Sequence, residues 1–239
     1  MGAMSRRSPA PLAHLCVWAV VAALAGGCVR VVPGRGEAAV TVPGPPDRPV
    51  VLADVLPAPD RFPPDYPAAV LDPAAADAAI RAVDAVPAGA VVDPPECTPP
   101  APGPGPADAV AVQGRDPDTG AELTVALTRT GTDPAVRRDQ LAACPSFTVT
   151  VAGGEAEQRR TVHTELRPRP PVDADGTFAV AVEVDGDPPA RLLVLVAQIG
   201  EVRVTAAWRG DDPDADPDST ALDALFTDAV LQVRRAVRP

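Results

Sequence analysis

Apolar and polar residues alternate through most of the chain from about residue 109 onward, a pattern that predicts β-strands. Residues 190–199 are apolar almost throughout, which is typical of a central strand covered on both faces. Turn sequences at 185–187 (Asp-Gly-Asp) and 200–201 (Gly-Glu) separate the last three segments, so these are predicted to form an antiparallel meander. Strands are predicted at about 109–112, 122–128, 147–151, 158–166, 178–184, 190–199 and 202–208.

Three helices are predicted around these strands. Two begin with an Asp-Pro pair, in which the aspartate caps the helix and the proline takes its first position; they cover about 73–84 and 134–143. The third covers about 220–237, with Thr220 and Asp223 as a capping box and an apolar stripe along one side. The predicted fold class is α+β: an antiparallel sheet of about six or seven strands, a packed C-terminal helix and two shorter helices.

The N-terminal segment has the composition of an export signal. Arg6 and Arg7 precede an apolar run over about 12–25, which is shorter than a membrane-spanning helix requires. We therefore predict that residues 1–27 are a signal peptide. The paired arginines leave both the Sec and the twin-arginine export routes open.

Residues 24–28 (Leu-Ala-Gly-Gly-Cys) resemble a bacterial lipobox, although Ala25 stands where the motif commonly has leucine. The motif implies that the Cys28 thiol takes a diacylglyceryl group. The protein would then be held at the extracytoplasmic face of the cell membrane by this anchor. The alternatives are cleavage after residues 23–25 (Ala-Leu-Ala), which would give a secreted protein, and a signal that stays uncleaved.

Proline and glycine interrupt the chain after Cys28, for example at 31–34 and 43–46, without any helical or strand period. We interpret residues 28–57 as a disordered tether between the lipid and a folded domain. Residues 58–239 are long enough for a single α+β domain with a core of its own.

Composition excludes several classes of function. The formal net charge is −11 and no lysine is present, so the clustered positive charge that nucleic-acid binding needs is missing. Two histidines leave few ligands for a zinc site, and 3 % aromatic residues argue against stacking platforms. We expect no cofactor, no metal and no catalytic residue.

Two groups of residues have spacings that would contradict that expectation if they were functional. An acidic run approximates the spacing of an EF-hand calcium loop, but Pro217 occupies the position where the loop needs glycine, so a solvated loop is expected. Ser146 and His163 are the one nucleophile–base pair, and without a G-x-S-x-G motif they point only weakly to a hydrolase. The aspartates of the acidic run are Asp212, Asp214, Asp216, Asp218 and, at the twelfth position, Asp223.

Other charged groups are less specific indicators of function. The carboxylate pairs lie in turn-like segments, which disfavours a glycosidase; they are Glu155 with Glu157 and Asp173 with Asp175. Arginines at 159–160 and at 167 and 169 form a local basic patch that would suit an anionic lipid or a carboxylate, or would simply balance nearby acids.

With the signal removed and Cys28 lipidated, Cys97 and Cys144 remain in an oxidising compartment. They would most simply form one disulfide, the alternative being two free thiols.

Three short motifs carry a resemblance to a known family: 62–67 (Phe-Pro-Pro-Asp-Tyr-Pro), 94–97 (Pro-Pro-Glu-Cys) and 144–147 (Cys-Pro-Ser-Phe). With the lipobox, tether and C-terminal helix, the chain resembles uncharacterised mycobacterial-type actinobacterial lipoproteins of domain-of-unknown-function family 5642. It is more loosely similar to the extracellular sensor domains of actinobacterial Ser/Thr kinases, which usually carry two disulfides. The resemblance covers about 55–238. It implies a Cys97–Cys144 bridge and an envelope location, and no catalytic residue.

The predicted function is a non-catalytic, lipid-anchored envelope domain that binds an unidentified ligand or partner protein. A first alternative is a carrier of apolar lipids, held between the sheet and the helix face formed by Leu222, Leu225 and Phe226. This alternative requires a cavity of several hundred Å³. A second is a small hydrolase that uses Ser146 and His163.

Overall fold

The computed structural model describes residues 50–100, 108–153 and 156–237. The signal segment, Cys28 and the tether up to residue 49 lie outside the described residues. Three α-helices are described: α1 (Pro73–Ala82), α2 (Pro134–Ala143) and α3 (Ser219–Val237). Short 3-10 turns cover Leu52–Val55, Pro59–Arg61 and Pro95–Cys97.

The described strands form one antiparallel sheet in the order β1-β3-β4-β9-β8-β7-β6-β5-β2. Their bounds are β1 (Ala68–Val70), β2 (Val91–Asp93), β3 (Ala109–Arg115), β4 (Glu122–Arg129), β5 (Ser146–Gly153), β6 (Ala156–Arg167), β7 (Gly176–Asp185), β8 (Ala190–Ile199) and β9 (Val202–Gly210). The predicted meander of the last three strands is confirmed, since β7 pairs with β8 and β8 with β9.

The predicted number of six or seven strands was wrong, because the described residues form nine. The two additional strands, β1 and β2, lie at the opposite edges of the sheet and have three residues each. Three residues show hardly more than one alternation, so no period marks them in the sequence. They become strands only through pairing, β1 with β3 and β2 with β5.

One face of the sheet, which we call the helix face, is covered by α3. Its residues come from alternate positions, such as Leu195, Ala197 and Ile199 of β8, and they share one apolar cluster with the buried side of α3. Leu222 and Phe226 of α3 are each 1 % exposed. The C-terminal helix packed across the sheet is therefore confirmed.

The helix α3 begins one residue before its predicted start and is capped differently. Asp218 Oδ1 accepts a hydrogen bond from the Ala221 backbone N–H at 3.0 Å, so Asp218 is the capping residue. Thr220 lies inside the helix, and the predicted capping box with Asp223 was wrong. The aspartate is the better cap because its carboxylate reaches the free N–H groups of the first turn.

The folded region also begins earlier than residue 58. Leu52, Val55 and Leu56 are buried in the cluster of the helix face, and Arg129 Nη2 donates to the Val50 carbonyl oxygen at 2.7 Å. Residues 50–57 are therefore part of the fold and not of a tether. Their few apolar side chains show no period, and only their packing in the cluster of the helix face identifies them as core.

Within the described residues, no helix is both long enough and apolar enough to cross a bilayer.

Candidate functional site

The opposite face of the sheet, which we call the cavity face, is covered by three separate pieces: α1, α2 and the segment 83–90. The predicted helix over 73–84 ends at Ala82, and Ala85 adopts a left-handed φ of 55°, which no helix can continue. We call residues 83–90 the strap. It leads from α1 to the edge strand β2.

Side chains attach the strap to the sheet. Its backbone hydrogen bonds are local: Asp84 N–H to Arg81 C=O at 3.3 Å, Ala85 N–H to Ala82 C=O at 3.1 Å, and Ala90 N–H to Pro87 C=O at 3.1 Å. The strap residues that pack against the apolar cluster of the cavity face are Val83, Ala85, Val86 and Ala90. Because only a few side chains of the strap reach the sheet, the strap does not fill the space above it.

Two cavities remain between this cover and the sheet. The first has a volume of about 340 Å³ and a floor of apolar strand residues, namely Phe178, Val180, Val182, Val194 and Val196. The second has a volume of about 420 Å³ and a floor formed by Val184, Ala190 and Leu192. Residues 86–88 of the strap line both, so the cavities are neighbours.

Arg203 lies at the polar end of the first cavity. In β9, Val202 and Val204 face α3, so the intervening arginine faces the cavity. Its Nε donates to Gln198 Oε1 at 3.1 Å, and its Nη2 donates to the Thr132 carbonyl oxygen. Burial lowers the pKa of Arg203, and the charges of Asp133 and Asp84 partly offset that effect.

Arg137 of α2 lies on the same cavity wall and is 8 % exposed. Its Nη2 donates to Asp84 Oδ1 of the strap at 2.7 Å, and its Nη1 donates to Gln140 Oε1 at 2.6 Å. Its Nε is buried without a hydrogen-bond partner. The ion pair is thus a link between the strap and α2.

The Asp84 side chain keeps 34 % of its surface exposed, yet the surrounding protein desolvates it. Burial therefore raises the pKa of its carboxyl group, and the charge and hydrogen bond of Arg137 only partly offset this. Ionised Asp84 carries a free-energy cost in the folded protein.

Hydroxyl groups complete the polar end of the first cavity, where Thr128, Thr130, Thr132 and Thr205 lie near Arg203. Thr164 of β6 lines the cavity three strands away from β9. Thr164 Oγ1 already donates to the Cys144 carbonyl oxygen at 2.9 Å. The cavity therefore combines an apolar floor with one end rich in hydrogen-bonding groups.

Three arginines line the second cavity. Arg81 pairs with Asp77 at 2.6 Å and Arg209 with Asp211 at 2.9 Å. Arg160 donates from Nη2 to Gln158 Oε1 at 3.3 Å, while its Nε is buried without a partner. Of the predicted basic patch, Arg160 thus reaches a cavity.

Arg167, another arginine of that patch, forms an ion pair with Glu165 at 3.2 Å.

Cys97 and Cys144 form a disulfide with a Cα–Cα distance of 5.7 Å. It joins the 3-10 turn after β2 to the C-terminal end of α2. Gln140 Nε2 reinforces this link by donating to the carbonyl oxygens of Glu96 and Thr98, both at 2.7 Å. The bridge therefore holds two walls of the first cavity together.

Ser146 and His163 face each other directly in the β5–β6 pairing. No hydrogen bond joins them among those of the described residues, and His163 Nε2 instead lies 3.2 Å from Asp185 Oδ2. The His163 and Asp185 side chains are 47 % and 74 % exposed. Neither Ser146 nor His163 lines the cavities described above.

The other candidate carboxylates have structural partners. Asp173 pairs with Arg234 of α3 at 2.6 Å, and Asp175 Oδ2 accepts from the Gly200 N–H at 2.7 Å. The side chains of Glu155 and Glu157 lie outside the described part of the structure.

In the acidic loop, Asp212 Oδ1 accepts from the Asp214 N–H at 2.9 Å, and Asp218 caps α3. In the described ranges, no group of three or more His, Cys, Asp or Glu residues is placed to hold a metal ion.

Sequence reasoning missed Arg203, Arg137 and Asp84. The sequence could have indicated Arg203, since this charged residue lies between two apolar residues of a predicted strand. Arg137 and Asp84 carry no comparable signal, because an arginine in a short helix and an aspartate before a proline turn are ordinary surface residues.

No protein-family model matches the chain, and no curated protein matches it. One similar solved structure is an uncharacterised Mycobacterium smegmatis protein, the Rv0999 ortholog, with a TM-score of 0.45 and 18 % identity over 79 % of this chain and 98 % of that one. Another is the extracellular domain of PknH from Mycobacterium tuberculosis, with a TM-score of 0.41 and 15 % identity over 74 % of this chain and 98 % of that one. Both scores are too low to support a conclusion about function, and membership of family 5642 stays a prediction.

Proposed function

We propose that this chain is an exported, lipid-anchored, non-catalytic domain that binds a small molecule with an apolar body in the first cavity. One observation carries the proposal: the floor of a cavity of about 340 Å³ consists of buried strand side chains above which α1, α2 and the strap leave open space. Ligand sites are commonly concave, mainly apolar and about 300–1,000 Å³ in volume, with few polar groups. The first cavity has each of these properties.

The packing of the two faces supports this location. On the helix face, α3 fills the space above the sheet with Leu222, Leu225 and Phe226, each at most 3 % exposed. On the cavity face, three short pieces cover a comparable apolar surface. A ligand in the cavity would pack against that surface and exclude water from the space above it.

A neutral fluorescent dye tests ligand binding without relying on charge. We expect the full-length protein to enhance the fluorescence of N-phenyl-1-naphthylamine, and Val194→Phe to abolish the effect by filling the cavity. Val136→Phe is the matched control, since it adds the same group at a side of α2 that is 58 % exposed. Thermal unfolding of both variants checks that they fold. No dye response by the folded parent protein, or an equal response by folded Val194→Phe, contradicts the proposal.

The anchor is tested separately at Cys28. Growth with the signal-peptidase inhibitor globomycin should cause the unprocessed precursor to accumulate, and mass spectrometry of the mature N-terminus should find a diacylglyceryl-modified cysteine. A free thiol at Cys28, or an N-terminus elsewhere, contradicts the lipid anchor while leaving ligand binding untouched.

The non-catalytic part of the proposal rests on the exposure of His163 and on its contact with Asp185 rather than with Ser146. We expect p-nitrophenyl ester hydrolysis at the background rate, with Ser146→Ala making no difference. A rate above background that Ser146→Ala removes would identify a hydrolase.

A lipid carrier is the second candidate, and the second cavity favours it. Its volume is about 420 Å³ and its floor is apolar. It lies on the cavity face. The carrier hypothesis therefore places the lipid there and not between the sheet and α3, where the sequence predicted it. Transfer of a fluorescent lipid between donor and acceptor vesicles, accelerated by the full-length protein, is the result that would favour the carrier over a sensor-like domain.

A further inference from the structure

We propose that Arg203 binds a carboxylate, so that the ligand of the first cavity is a monocarboxylate with an apolar body. This inference rests on the proposed function, since it names the class of molecule that the cavity holds.

Arg203 is a partly buried cation that has no ion-pair partner among the described residues. Among the described residues no carboxylate oxygen lies within 4.0 Å of its guanidinium group, whose bonds go to a glutamine oxygen and a backbone carbonyl oxygen. Its Nη1 has no hydrogen-bond partner in the described structure. A buried charge that is incompletely paired carries a free-energy cost, and a ligand anion removes that cost.

The neighbouring arginine differs in this respect. Arg137 already pairs with Asp84 at 2.7 Å and with Gln140 at 2.6 Å, so its charge is balanced within the protein. Asp133 acts on Arg203 only through space, because its carboxylate caps α2 by accepting from the Ala135 N–H at 2.8 Å. In direct contacts, Arg203 is therefore the unbalanced group of this cluster.

The strand register supplies a second donor beside it. Thr128 of β4 pairs directly with Arg203, and both line the cavity. A guanidinium N–H and a hydroxyl side by side match the two oxygens of one carboxylate. The through-space charges of Asp84 and Asp133 disfavour a second negative charge, which argues against a phosphate dianion.

The apolar floor leads away from this end in one direction. Gln198 of β8 pairs with Arg203, and two residues further along β8 Val196 pairs with Thr205. Val194 and then Leu192 continue the same row towards the second cavity. A ligand with its carboxylate on Arg203 would thus lay its apolar body along this row and under the strap.

A matched pair of ligands and a matched pair of variants test the inference. Decanoate and the neutral decanamide compete for the dye on the full-length protein, on Arg203→Gln and on Arg209→Gln. The control, Arg209→Gln, removes an arginine from the same strand that faces the second cavity and has its own partner, Asp211.

We expect the parent protein and Arg209→Gln to bind decanoate about tenfold to a hundredfold more tightly than decanamide, the range of a charge-assisted hydrogen bond. Arg203→Gln should reduce this ratio to near one without changing the affinity for decanamide, and Arg203→Lys should restore part of it. The inference is overturned if the parent protein binds both compounds equally, or if Arg209→Gln rather than Arg203→Gln loses the preference. In either case, dye binding by the parent protein would still support the proposed function. If neither compound nor the dye binds, both proposals fail.

Discussion

The two faces of the sheet are built from similar residues and covered in different ways. On the helix face, one helix of 19 residues supplies a continuous apolar stripe, and the side chains interlock with valines, leucines and Trp208 of the strands. On the cavity face, two helices of ten residues and a strap cover valines and Phe178, and two cavities remain.

The difference shows how packing divides roles within one sheet. A single helix places apolar side chains at regular intervals and excludes voids, and dense packing of that kind stabilises the fold. Three separately anchored pieces cannot follow the twisted surface equally well, so part of it stays free. We therefore assign most of the stability to the helix face and ligand binding to the cavity face.

The largest expected effect compares two buried phenylalanines. Phe226→Ala removes a side chain that is 1 % exposed on the helix face, and we expect it to lower the free energy of unfolding by about 3–5 kcal/mol. Phe178→Ala, beside the first cavity, should cost no more than about 3 kcal/mol because its ring already borders open space. Urea denaturation measures both; equal losses would contradict the assignment of stability to one face.

The disulfide belongs to the cavity face, and its removal should act there first. Cys97 and Cys144 are 47 residues apart, and replacing both with alanine should lower the free energy of unfolding by about 4 kcal/mol in the chain-entropy model. Hydrogen exchange should then rise in the strap and in α2 before it rises in β8 and β9. Uniform acceleration across both faces would contradict a local role.

Two glycines test how much free space each region has. A Cβ atom on Gly114 would lie 2.7 Å from the Tyr66 carbonyl oxygen and 2.9 Å from the Phe62 ring, so Gly114→Ala should cost about 1–3 kcal/mol. A Cβ on Gly131, in the loop after β4 beside the cavity threonines, meets no atom within 4 Å. Gly131→Ala should change stability by less than about 0.5 kcal/mol. Thermal unfolding gives the order, and a reversed order would show that the first region has room to adjust.

The smallest effect concerns pH. Because burial raises the pKa of Asp84 in the folded protein, the folded state binds this proton more tightly than the unfolded state does. Stability should therefore rise in the parent protein, relative to Asp84→Asn, as the pH falls through the raised pKa towards 3.8. Urea denaturation of both proteins at several pH values between 7 and 4 measures the difference, and a change of opposite sign would mean that Arg137 stabilises the ionised form more than burial destabilises it.

Periodic elements were predictable because their signal repeats along the chain. The helix at 134–143 agrees with Pro134–Ala143, whose start is marked by a cap and a proline. The meander of the last three strands was predicted from alternation and from two turns. The short edge strands β1 and β2, and residues 50–57, were not predicted, because their conformation depends on a neighbour that lies far away in sequence.

The candidate site was predicted only in fragments. Cys97 and Cys144 were expected to pair, and Arg160 was noted as part of a basic patch, yet neither observation located a cavity. Arg203, Arg137 and Asp84 come together across 119 residues, from the strap, α2 and β9. Nothing in the local sequence around any one of them indicates the other two.

The sequence by itself determined the α+β class, the meander and the long amphipathic helix, because periodicity, caps and turns act over a few residues, and the export signal stays a prediction. Only the tertiary structure decided which sheet face α3 covers, how the strap crosses the other face and where cavities remain. These features depend on side chains that meet across the sheet, and the space between them is set by packing rather than by any local preference. The proposed carboxylate site arises at that level, since Arg203 acquires its partly buried position and its neighbours only when the sheet is assembled.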